Sequence, residues 1–80
     1  MKLKISKEWL KIPTNGICTL YIPNGEEIML ESTTGSIPSE DDGILYRLNI
    51  IPICSQDNVY IKLPKVSLFN ELEINYVNFI

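Results

Sequence analysis

The chain has 80 residues, 45% of them hydrophobic, and a formal net charge of −3. That length allows one domain, residues 1–80, with one core that buries only about 60–65% of the surface its unfolded form exposes. The acidic balance argues against a nucleic-acid partner, which needs a basic face, and no apolar run approaches the roughly 18 residues of a membrane span.

Turn residues punctuate an apolar/polar alternation along the whole chain. Lys2–Ile5 alternates lysine with apolar residues, and Lys7–Ile12 continues the pattern with Trp9. Pro13-Thr14-Asn15-Gly16 reads as a turn, because proline fixes φ and Asn-Gly tolerates positive φ. Ile17–Ile22 is the clearest strand, with Cys18, Leu20 and Ile22 on one face and Ile17, Thr19 and Tyr21 on the other. Pro23-Asn24-Gly25-Glu26 carries a second Asn-Gly, the strongest short hairpin signal. Glu27–Ser32 follows with Ile28 and Leu30 inward. The two strands are therefore expected to form a hairpin.

Thr33–Asp42 has no periodicity and reads as a loop. Gly43–Ile50 returns to strand, with Ile44, Tyr46, Leu48 and Ile50 opposite Leu45, Arg47 and Asn49. Pro52 interrupts Ile51–Cys54, which suits an edge strand or a bend between sheets. Ser55-Gln56-Asp57-Asn58 turns the chain into Val59–Leu63, where Val59, Ile61 and Leu63 face away from Tyr60 and Lys62. Val66–Phe69 reads as a short strand. Leu72–Ile80 places Leu72, Ile74, Tyr76 and Ile80 opposite Glu73, Asn75, Val77 and Phe79.

Thirteen residues are isoleucine and none is alanine. Isoleucine is stiff at χ1 and favours strands, whereas alanine is the best helix former. The expected fold is all-β: a small antiparallel β-sandwich or partly open barrel of about six to eight short strands. Its expected core is Leu20, Ile22, Ile28, Leu30, Leu48, Ile61 and Ile74.

Cys18 and Cys54 each lie in an apolar stretch and read first as buried free thiols, which behave as small hydrophobes. A Cys18–Cys54 bridge and a reactive thiol are the alternatives. The start alternates rather than running apolar, so no signal peptide and a reducing cytoplasm are expected. The chain has no histidine. Ser/His and Cys/His dyads are thus excluded, and two distant cysteines do not make a zinc site. No metal, cofactor or enzymatic activity is expected. Glu40, Asp41 and Asp42 are the one acidic cluster to weigh as a cation site, against a solvated loop; their spacing matches no EF-hand.

Charge is unevenly placed. Residues 1–11 hold Lys2, Lys4, Lys7 and Lys11 against Glu8, whereas residues 26–42 hold six acids and no base. Lys2, Lys4 and Lys7 are accordingly candidate interface residues for an acidic stretch elsewhere. Tyr21, Tyr46 and Tyr60 are the others, as aromatics able to anchor a protein or stack on a surface glycan. The alternatives are solvated strand faces and cross-strand core pairs.

Trp9-x-x-Ile12, Cys18-Thr19-Leu20-Tyr21-Ile22, Pro23-Asn24-Gly25, Ile28-Met29-Leu30, Pro38, Asp41-Asp42-Gly43 and Asn58-Val59-Tyr60-Ile61-Lys62 occur in that order. In this rhythm of strands and turns the chain resembles small phage-encoded virion β-proteins of head fibres, capsid decoration and tail parts. The resemblance implies a non-enzymatic structural or adhesive component, made in the host cytoplasm and located in the virion. It would act through contacts with itself, as a trimer or other homo-oligomer, and with other virion proteins. The alternatives are a small inhibitor of a host defence protein, acting in the host cytoplasm, and a carbohydrate-binding module.

Overall fold

A computed structural model describes residues 1–13, 17–55 and 57–78. Eight strands form: β1 (Lys2–Ser6), β2 (Leu10–Lys11), β3 (Ile17–Tyr21), β4 (Ile28–Thr33), β5 (Ile44–Tyr46), β6 (Ile50–Cys54), β7 (Asn58–Lys62) and β8 (Glu71–Asn78). They make two antiparallel four-stranded sheets, in the order β1-β8-β3-β6 (sheet A) and β2-β7-β4-β5 (sheet B). The fold is the expected small all-β sandwich.

Period-2 alternation explains why the sheets face each other. From sheet A, Ile5, Cys18, Leu20, Ile51, Ile53, Ile74 and Tyr76 point inward; sheet B answers with Ile28, Leu30, Val59 and Ile61. Each fully buried large aliphatic side chain contributes about 1.5–3 kcal/mol relative to exposure. Six of the seven residues expected in the core are buried.

Leu48 is the exception, at 51% exposure. Gly43–Ile50 is not one strand: β5 ends at Tyr46 and the chain crosses to the other sheet before β6 starts at Ile50. In β6, Ile51 pairs with Leu20 and Ile53 with Cys18, so these two face inward. Ile50 and Cys54 then face outward, and Cys54 is exposed rather than buried. The register also rules out a Cys18–Cys54 bridge, because the two thiols project from opposite faces of sheet A; both are free. Pro52 sits on an edge strand, where its missing N–H costs no ladder bond.

The expected β3–β4 hairpin does not form. β3 pairs with β6 and β8 in sheet A, whereas β4 pairs with β5 and β7 in sheet B. Between them Pro23–Gly25 winds a single 3-10 turn, with Asn24 at φ 57° and Gly25 at φ 61°. Asn-Gly supplies positive φ for this turn as readily as for a hairpin. The Ile22 N–H bonds to the Asn49 carbonyl at 2.7 Å, so the chain leaves sheet A beside the β5–β6 connection. Burying both inner faces against each other covers Cys18 and Leu20 of β3 and Ile28 and Leu30 of β4. A hairpin in one sheet would leave both faces needing a further partner.

Two smaller expectations also change. Lys7–Ile12 does not continue β1; the chain bends at Lys7 and Glu8 and β2 joins the other sheet. Val66–Phe69 is not a strand; its first residues close a turn from Pro64 to Ser67, with the Ser67 N–H bonded to the Pro64 carbonyl at 3.0 Å. The Asn15-Gly16 turn, Gln56, Phe79 and Ile80 lie outside the described residues.

The two long sides of the sandwich differ. On one, the Leu63 N–H at the end of β7 bonds to the Ser6 carbonyl of β1 at 2.8 Å, which draws the sheets together. On the other, edge strands β5 and β6 stand apart, and the sandwich opens.

Candidate interaction surface

The open side is built from residues whose phase is set by their pairing. β5 pairs with β4 as Ile28↔Tyr46, Met29↔Leu45 and Leu30↔Ile44. Ile44 and Tyr46 therefore share the inner face with Leu30 and Ile28, yet they lie at its rim. Ile44 and Leu48 are each more than half exposed, at 61% and 51%. A groove of about 410 Å³ runs between the edges, lined by Ile44, Tyr46, Leu48, Pro52, Leu30 and Val59, among others. Its lining is mostly carbon, with Glu31, Ser32 and Ser55 at one end. Such a surface can bury apolar side chains; it offers few groups for chemistry.

A second cluster lies on the outer face of sheet B. On strand β7, Tyr60 and Lys62 are buried along with Val59 and Ile61, and the acidic loop reaches Lys62 through Glu40. Lys62 is the only buried charged side chain among the described residues, at 2% exposure. Its ammonium donates to the Glu40 carbonyl and stands 4.7 Å from the Trp9 ring centroid. Trp9 Nε1 donates to the Ser39 carbonyl at 2.9 Å, and the Ser39 N–H bonds to Asp42 Oδ2 at 2.9 Å. Gly43, at φ 110°, lets the chain pass under the indole: a Cβ there would lie 2.8 Å from the ring. The cation, the ring and the glycine together pin the loop to the sheet.

The acidic cluster is part of that clip. Lys65 Nζ contacts Glu40 Oε1 at 2.9 Å and Asp41 Oδ1 at 3.7 Å. A hydrogen bond and charge attraction from Lys65 hold the Glu40 carboxyl below its ordinary pKa, and the same contact raises that of Lys65. Asp42 turns back to cap the loop. Among the described residues no three His, Cys, Asp or Glu side chains converge as a metal site.

The other candidate residues are dispersed. Lys2 and Lys4 contact Glu73 at 3.5 Å and Glu71 at 3.9 Å, so the basic strand meets acids of its own neighbour β8. Those exposed pairs are worth about 0–1 kcal/mol each. Lys7 lies at the bend beside Trp9, on a cleft shared with Ile37 and Pro38. Tyr21 is exposed on the outer face of sheet A. Tyr46 lines the open groove. Tyr60 is 7% exposed and cannot anchor a partner.

Leu48 is the groove residue that alternation assigns to the core, with Ile44 and Ile50 on the same face of one continuous strand. A signal against that was present: Ile50 and Ile51 are adjacent, and neighbours on a strand cannot both face inward. Lys62 carried no such signal, because its burial depends on a loop and an indole brought from elsewhere in the chain. Comparison with protein-family models, with curated proteins and with solved structures finds no match.

Proposed function

We propose that this chain is a non-catalytic structural module of a phage particle that works through protein–protein contact. The open apolar side of the sandwich carries the contact reading. Ile44 and Leu48 expose large side chains on the groove, at a point where closing the sandwich would have buried them. Contiguous apolar surface of that kind marks interaction sites. The lack of any histidine, which deprives the serines and cysteines of their usual base, supports a non-catalytic role. The particle assignment draws on the resemblance in strand rhythm and turn residues.

The test is protein composition of purified particles from cells that carry the gene. The chain should band with the particles in fixed ratio to a coat component. Recovery only as a free cytosolic protein, or bound to one host protein, would overturn the particle assignment.

A further inference from the structure

The sandwich has four edge strands, and three of them carry a device against pairing. β1 presents Lys2 and Lys4, β2 is two residues long and bears Lys11, and β6 contains Pro52. Lysines, brevity and proline are how sheet proteins block unwanted strand addition. β5 is short but otherwise unguarded: its residues are Ile44, Leu45 and Tyr46, and among the described residues it pairs on one side only. Ile44 and Leu45 are exposed.

We propose that β5 is the self-association edge of this protein, pairing antiparallel with β5 of a second copy across a two-fold axis at Leu45. Charge around the strand favours this occupant. Asp41 and Asp42 precede β5 and Arg47 follows it. In an antiparallel pair centred on Leu45, each copy's Arg47 stands opposite Gly43 of the other, next to Asp42. Both ends of the interface thus bring Arg47 of one copy near the Asp41–Asp42 pair of the other, whereas an in-register parallel pair would set like charges opposite each other. Arg47 already contacts Glu27 at 2.7 Å, but its side chain is 68% exposed and its five donors allow a further acceptor.

The same register places Ile44 of one copy opposite Tyr46 of the other. Their inward faces then continue across the axis, and each open groove gains an apolar wall from the neighbouring copy. The two sheets B become one eight-stranded sheet. The backbone fixes the register, and the rim residues supply the apolar contact.

This inference rests on the contact reading above, but its test uses the pure protein and no particle. Sedimentation equilibrium of the wild type should give twice the 9.1 kDa chain mass. The double variant Ile44→Lys, Leu45→Lys should associate about a hundredfold more weakly, because like charges would face each other across the strand pair. Lys2→Glu with Lys4→Glu should leave the dimer intact. If the double variant fails to fold, cross-linking replaces it: Leu45→Cys in a Cys54→Ser background should be joined by a short bis-maleimide, and Lys4→Cys in that background should not. A wild type that stays monomeric at millimolar concentration overturns the proposal. So does a dimer lost in the β1 variant, or one joined through Lys4→Cys and not through Leu45→Cys. Particle association would still stand or fall on its own measurement.

Discussion

The Lys62 ammonium lies 4.7 Å from the centroid of the Trp9 ring and donates to the Glu40 carbonyl. Strand β7, the segment between β1 and β2, and the acidic loop therefore meet at one buried cation. Lys62→Ala should lower stability by about 2–4 kcal/mol, since it removes a packed stem and a charged hydrogen bond. Lys62→Met keeps the stem and should lose less than half as much. Urea unfolding, followed by Trp9 fluorescence, measures both.

Gly43 should tolerate no side chain. Its positive φ strains any other residue, and a Cβ would press on the Trp9 ring. Gly43→Ala should cost about 1–3 kcal/mol by thermal unfolding.

The core and the rim should respond differently to truncation. Leu20→Ala and Ile61→Ala, at fully buried positions, should each cost about 2–5 kcal/mol. Leu48→Ser should stay within about 0.5 kcal/mol of wild type, as exposed substitutions usually do. Denaturant titration of the three variants tests whether the inner faces are assigned correctly.

Glu40 and Lys65 share one contact that depends on pH at both ends. The Glu40 pKa is lowered on folding, so its stabilising effect is present above about 4.5, the ordinary value, and is lost as pH falls through the folded value. The Lys65 pKa is raised, so the same contact is complete below 10.5 and is lost as pH rises through the folded value. The melting temperatures of wild type and Glu40→Gln should differ most near neutral pH and converge at either extreme.

Cys54 should react with a thiol reagent in the native protein, and Cys18 only after unfolding. Mass spectrometry should show one modification under native conditions and two in denaturant. Equal reactivity would contradict the outward phase of β6.

The sequence made some of this legible and hid the rest. In β3, β4 and β8 the alternation identified inward residues, because each strand has one apolar face and one solvated face. The partners of β3 were not legible. An Asn-Gly turn fits two backbone paths, and the choice depends on β6 and β8, far along the chain. Lys62 was misplaced for a similar reason: a strand in the middle of a sheet can be covered on both faces, and alternation identifies only one. The acidic residues Glu40, Asp41 and Asp42 were legible as a cluster. That Lys65 binds them was not, since the contact is set by the turn after β7.

Strand β8 has a consequence for how the molecule is made. It lies between β1 and β3, and pairs Ile74 with Leu3 and Tyr76 with Leu20. Synthesis runs from the N-terminus at about 5–20 residues per second, so the middle of sheet A is the last part of it to be produced. Until then β1 and β3 have no common neighbour, and ribosome-bound chains hold their isoleucines without a finished sheet to receive them. A stop codon placed just before Glu71 should therefore yield an insoluble product rather than a smaller domain.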